Sequence, residues 1–347
     1  MSRPKKKLLL RVGTFPSPSE TFITLQAKLA SDLGFEVFIL ADRKMGLEDS
    51  SQPEIMLEYD LLARTTELRR MEPSGGRQRV ITLLKILASG VPLDVLRTLD
   101  YLNYGSEGLK GNYVLHYEEV RPFIDADVVH IQFGTSKYPF DALKASGLFK
   151  GKVVTTFHGF DAHFGQVDQA ERMLFYSQLF KYGEAFTANS KFLEQRLIDL
   201  GCPRDKLSVI PMPVDTDYFR PLKSSTEGDE IAILSVGRLV ELKGHAFGIR
   251  AVRRLMDKGY KLRYDIVGVG EEKDSLEALI AELGLQESVT LCGARSQSEV
   301  RQLMQRSDLY LMTSAVDKTG RREAQGLVSG EAQACGLPMI AFKSGGV

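Results

Sequence analysis

The chain has 347 residues, 43% of them hydrophobic and 26% charged, which excludes a disordered chain and favours two domains over one. Lys plus Arg and Asp plus Glu each total 45, so a net charge of zero offers no overall field for nucleic acid, and an anionic partner must be met by a local cluster of cations. The three cysteines, Cys202, Cys292 and Cys335, lie far apart and in no CxxC spacing, which argues against a disulfide framework and a structural metal and fits a reducing compartment.

In chain order, MSRPKKK is basic, but only Leu8-Leu9-Leu10 follows before Arg11. That run is too short for a signal peptide or a spanning helix, so a cytoplasmic location is expected. Short apolar runs then alternate with helical periodicity, the pattern of parallel sheets covered by helices. Strands are expected at 8–12, 36–41, 127–133, 152–157, 185–189 and 206–211, with helices between them. The stretch 60–110 is irregular, with Glu67, Arg69, Arg70, Arg77, Arg79 and Lys85 around an apolar RVITLLKILAS. It reads either as a basic amphipathic surface for an anionic bilayer or as an ordinary domain helix with snorkelling arginines.

The segment PMPVDTDYFRPLKSSTEGDE, 211–230, carries three prolines and a polar tail. It is expected to hold a linker over 212–229 between a domain at 1–211 and a second at 230–347. A second series follows, with strands expected at 231–237, 262–268, 288–293, 308–313 and 338–342 and helices at 246–258, 272–283, 297–306 and 327–335. The strict β-α order predicts an α/β chain of two doubly wound parallel sheets.

Three stretches carry candidate chemistry. In EAQGLVSGEAQACGLP, Glu323 to Pro338, Gly336 and Pro338 are helix stop signals, so the helix begins near Gly326 and Leu327. Its first turn follows a strand end, where unpaired N–H groups and the positive dipole end suit a phosphate. Glu323 before the helix and Glu331 within it would repel phosphate, so both are expected to accept from hydroxyl groups at the two ends of one ligand. A diphosphate flanked by hydroxylated groups is a nucleotide-sugar. In GRLVELKG, Gly237 to Gly244, Arg238 and Lys243 flank a strand-to-helix turn and can approach the same phosphates. The order is not that of a Walker A loop, and in GVG, 268–270, Lys273 stands where a third glycine of GxGxxG belongs, so ordinary turns are the plainer reading of both. In TTFHGFDAH, Thr155 to His163, His158 at a strand end could donate to a sugar hydroxyl or to a leaving group, or could be structural, as His130 in DVVHIQF is expected to be.

Together, GRLVELKG, the strand followed by GVG, the LGL…V…G run at 283–293 and the E-x7-E of EAQGLVSGE resemble retaining glycosyltransferases of family 4, with the GT-B fold. FPSPSETFI, VVHIQFG, TFHGFDAH and the ANS…LGCPRDKLSVIPMPVD run are similar to the subgroup that builds exopolysaccharides, of the colanic-acid and amylovoran type. The resemblance implies two Rossmann-like domains facing a cleft, a UDP- or GDP-sugar donor, a glycan or lipid-linked acceptor, and retention without a metal or other cofactor. It implies that Arg238 and Lys243 bind the diphosphate with the amides near Gly326 and Leu327. Glu331 would accept from the ribose, Glu323 would contact the transferred sugar, and His158 would contact it from the other domain.

Relatives often carry a glycine-rich loop after the first strand. Here Gly13-Thr14 is followed by Pro16, Pro18 and Ser19-Glu20-Thr21, which puts a backbone contact at Gly13 in question. Ala324 replaces a frequent glycine, and relatives continue past SGGV through a further strand and helices, so the chain is expected to be truncated. The alternatives are a nucleotide-sugar epimerase of the same fold and a catalytically silent sugar-nucleotide binder.

Overall fold

The computed structural model describes residues 4–18, 20–68, 119–163, 168–222 and 229–347, with the single positions 80, 81, 84, 88 and 117. The chain divides into two compact units, Met1–Ile210 and Pro211–Val347.

The first unit runs β1 (Lys7–Phe15), α1 (Thr21–Asp32), β2 (Glu36–Lys44), α2 (Pro53–Glu58), β3 (Thr65–Glu67), β4 (Val128–Gln132), α3 (Phe140–Ala145), β5 (Lys152–Phe157), α4 (Gln169–Tyr182), β6 (Ala185–Ala188), α5 (Lys191–Asp199) and β7 (Leu207–Val209). The seven strands form a parallel sheet in the order β3-β2-β1-β4-β5-β6-β7. As a central parallel strand must, β1 is apolar on both faces. Its alternation sends Leu9 into a core with Val129, Val153 and Phe186, and Leu10 and Val12 into another with Ile23, Ala27 and Ile39. Arg11 is fully buried in the same strand, and its charge is met by Asp42 at 2.6 Å and by the Tyr138 carbonyl at 2.9 Å. Helix starts follow local chemistry: Asp168 accepts from the Glu171 N–H at 2.8 Å and Ser190 from Leu193 N–H at 3.3 Å.

The second unit runs β8 (Ile231–Val236), α6 (His245–Met256), β9 (Leu262–Val267), α7 (Lys273–Glu282), β10 (Val289–Gly293), α8 (Gln297–Arg306), β11 (Leu309–Met312), α9 (Leu327–Ala334) and β12 (Met339–Ala341). Its parallel sheet has the order β10-β9-β8-β11-β12. Helix α9 ends as its stop signals require: Gly336 adopts a φ of 75° and the Leu337 N–H returns to the Ala332 carbonyl at 3.0 Å.

Three expectations change. The segment expected to be a linker is, over its described residues 212–222, part of the second unit. Phe219 is 2% exposed in the core with Ala332 and Leu337, Arg301 lies 4.2 Å over the Tyr218 ring, and the Gln325 amide pairs with both backbone groups of Met212 at 2.8 and 3.0 Å. Proline content signalled an irregular chain, but not the apolar anchors that tie it down. Strand β1 continues past Val12 through Gly13 to Phe15, so Gly13 lies in a strand paired with β2 rather than in a loop. Strand β3 is additional, its three residues being too few to show a period. The expected basic helix within 60–110 lies outside the described residues apart from isolated positions. Among the described residues no helix is long and apolar enough to cross a membrane.

Candidate active site

In the second unit the strand order reverses direction at β8, which lies between β9 and β11. Loops after β8 and β11 therefore emerge side by side at the carboxyl edge, the place where doubly wound sheets hold ligands. They are joined by a hydrogen bond from Thr313 Oγ1 to the Lys243 carbonyl at 3.2 Å and from the Ala315 N–H to the Leu242 carbonyl at 2.9 Å. Gly244 has a φ of 61°, and a Cβ there would lie 2.3 Å from the Thr313 carbonyl oxygen, so only glycine permits this approach. The glycines of GVG are explained without a ligand: a Cβ on Gly268 would meet the Gly237 oxygen at 1.9 Å and one on Gly270 the Leu239 oxygen at 2.3 Å.

Lys243, His245, Thr313, Ser314, Gly326 and Val328 line a cavity at this edge. Lys243 and Glu323 meet directly, Nζ to Oε2 at 2.5 Å, and Ser314 Oγ donates to the same oxygen at 3.0 Å. Glu323 is 8% exposed. Burial alone would raise its pKa, but the Lys243 ammonium and the hydrogen bonds from Lys243, Ser314 and the Ala324 N–H together hold it below the usual carboxylate range. Both residues thus lie in one place, but paired with each other. Spacing within the E-x7-E stretch cannot reveal this contact, because Lys243 is 80 positions from Glu323 in sequence.

Arg238 is exposed, and its side chain has no partner among the described residues, while its carbonyl accepts from the Val240 N–H at 2.9 Å and lies 3.2 Å from the His245 ring nitrogen. The first turn of α9 begins at Gly326, with a φ of 71°. Glu331, on that helix, is half-buried with no partner among the described residues, and burial pushes its carboxyl up to about 7. Glu323 and Glu331, alike in sequence, are electrostatically opposite.

In the first unit, His158 follows β5 and lies half-buried between two rings, with centroids 4.6 Å from Phe22 and 4.4 Å from Phe133. Phe133 takes a φ of 67°, a strained backbone for a residue with a Cβ, and so brings its ring against His158. Asp161, fully buried, holds the neighbouring loops: its carboxylate accepts from the N–H groups of Gly134 at 2.9 Å, His158 at 3.0 Å and Gly159 at 2.8 Å. Even with these donors, burial pushes its pKa up to about 6. The His158 ring itself is directed at Gln132, Nε2 to Oε1 at 2.8 Å. Burial, reinforced by nearby His130, pushes the His158 pKa down to about 3, so the imidazole is neutral. Sequence reasoning missed Gln132, Asp161, Phe133 and Ser314. Of these only Asp161 had a local signal, three residues after His158 and placed to cap the turn.

Comparison with known proteins places this geometry. The sequence profile described as "Glycosyltransferase Family 4" matches residues 19–218, and that described as "Glycosyl transferases group 1" matches 220–347. WcaL of Escherichia coli K12, named for colanic acid biosynthesis, is 31% identical over 96% of this chain and 81% of its own length. The amylovoran biosynthesis glycosyltransferase AmsK of Erwinia amylovora is 29% identical over 98% of this chain and 83% of its own. Among solved structures, Anabaena HepE in complex with UDP and glucose aligns with a TM-score of 0.69 at 18% identity, covering 99% of this chain and 82% of HepE. WaaG, involved in lipopolysaccharide biosynthesis, aligns with a TM-score of 0.61 at 14% identity over 96% and 80% of the two chains. Two Rossmann-like parallel sheets, the family profiles and a relative similar over nearly the whole chain agree: this chain belongs to glycosyltransferase family 4 and is a glycosyltransferase of the GT-B fold.

Proposed function

We propose that this glycosyltransferase takes its sugar from a UDP- or GDP-sugar held by the second unit and passes it to a hydroxyl of a glycan or lipid-linked saccharide with retention of configuration. The diphosphate lies over Gly326 and Leu327 at the start of α9, where backbone N–H groups and the dipole favour negative charge. Arg238 and Lys243 complete its charge, Glu331 accepts from the ribose, Glu323 faces the transferred sugar and His158 contacts that sugar. The observation that carries this reading is the meeting of Lys243 and Glu323 beside the Gly326 turn, a cation and an acceptor in one cavity. The bond from the anomeric carbon to the diphosphate oxygen breaks, the acceptor oxygen bonds on the same face, and the acceptor proton passes to the departing diphosphate. Arg238, Lys243 and the helix terminus stabilise the charge that develops there, so the step needs no metal. The similarity to WcaL and AmsK supports a role in exopolysaccharide synthesis.

Transfer from a panel of UDP- and GDP-sugars, with the product anomer read by NMR, tests the reading. Arg238→Ala and Lys243→Ala are each expected to lower kcat by about 10²-fold, with the wild-type rate unchanged by EDTA. Full activity in both variants, or an inverted product, would overturn it.

A further inference from the structure

Six polar side chains form one hydrogen-bonded file that ends at His158. Thr187 Oγ1 lies 2.7 Å from Thr156 Oγ1, which lies 2.7 Å from His130 Nε2. The other nitrogen of His130, Nδ1, meets the Gln26 Nε2 amide at 2.7 Å. Gln26 Oε1 accepts from Gln132 Nε2, and Gln132 Oε1 meets His158 Nε2 at 2.8 Å. A carboxamide offers donors at one end and an acceptor at the other, so the file has a direction. Gln132 donates from its amide nitrogen to Gln26, with His130 Nε2 farther off at 3.4 Å, and turns its oxygen to His158. The proton of the neutral His158 ring must then sit on Nε2, and Nδ1 carries a lone pair with no partner among the described residues. The same logic makes His130 accept at Nδ1 and donate from Nε2 to Thr156. Phe22 and Phe133 hold the His158 ring plane, and Gln132, 2% exposed, is shielded from solvent.

We infer that Gln132, oriented by Gln26 and His130, is a positioning residue that locks His158 in the Nε2–H tautomer so that Nδ1 accepts a hydrogen bond from a hydroxyl of the transferred sugar. This rests on the reading above that His158 meets that sugar, and it reverses the sign of the contact: the imidazole accepts where the sequence suggested that it donates. An acceptor buried against rings rejects a sugar lacking the matching hydroxyl, because its lone pair is left unpaired. A ring free to change tautomer would accept either kind of group.

The test is a long-range 1H–15N correlation spectrum of the full chain labelled with 15N-histidine, in which His158→Asn identifies the His158 ring signals. The expected spectrum shows Nε2 protonated and Nδ1 bare. Gln132→Met, isosteric but without the amide, should shift the signals toward a tautomer mixture and lower kcat/KM roughly tenfold. Gln132→Glu, whose carboxylate still accepts from Nε2–H once the Gln26 amide turns to donate to its second oxygen, should restore the His158 tautomer and the rate. A protonated Nδ1 in the unaltered protein would overturn the inference, since it means both amides are turned over. A Gln132→Met chain with the original tautomer and rate would overturn it too. Unchanged turnover in His158→Asn would remove the sugar contact itself, a failure of the underlying reading that is separable because the tautomer is observed without any activity.

Discussion

Glu331 illustrates how much the surroundings of one carboxyl decide. With no side-chain partner among the described residues and a pKa raised to about 7, it is divided between acid and carboxylate at neutral pH. On the proposed reading ribose hydroxyls donate to the carboxylate, so donor binding would favour the ionised form and displace the proton when the group starts as the acid. Donor affinity is therefore expected to rise as pH increases from about 6 to 8 and then level off, with proton release on binding. Calorimetry in buffers of different ionisation enthalpy measures that release, and Glu331→Gln should abolish the pH dependence. Sequence made Glu331 and Glu323 look equivalent because each stands near the same glycine turn. Their difference comes from Lys243, which is 80 positions from Glu323 in the chain and 2.5 Å from it in space. Likewise Arg238 and Lys243 looked alike as candidate phosphate ligands in sequence, whereas the exposure of one and the ion pair of the other were not legible.

Helix α9 and its leading turn carry the site, and their form was the most legible part of the chain. The expected helix at 327–335 is observed as Leu327–Ala334 because Gly326 opens it and Gly336 closes it. Gly326 serves this turn twice: its φ of 71° is left-handed, and a Cβ would lie 2.5 Å from Met312 Cε. Gly326→Ala should destabilise the second unit by roughly 1–3 kcal/mol, measured by denaturant unfolding, and should weaken donor binding beyond that loss by moving the N–H groups of the first turn. The strands were legible for a different reason. Short unbroken apolar runs such as Leu8-Leu9-Leu10, repeated between helical stretches, are what central parallel strands buried on both faces require. The hydrogen-bonded file behind His158 was not legible, because Gln26, His130 and Gln132 belong to two different elements and nothing in their local pattern predicts that α1 packs its glutamine beside β4.

At the scale of the molecule, the boundary between the units lies at Ile210–Pro211, and the apolar residues just after it are committed to the second core. Phe219→Ala should cost roughly 3–5 kcal/mol, and hydrogen exchange should report the loss in β8, β11 and α9 while leaving β1, β4 and β5 protected as before. A flexible tether at that position would produce no such asymmetry. The pairing of Lys243 with Glu323 also has a bearing on what the whole enzyme ignores. Since the ammonium already has its counter-charge within the fold, inorganic phosphate or a sugar-free nucleotide must break an ion pair to use it and offers Glu323 nothing in return. On the proposed reading a nucleotide-sugar brings a phosphate for the lysine and hydroxyls for the glutamate together, so it is expected to displace the pair more readily than inorganic phosphate does, a difference that thermal-shift titrations with each would measure.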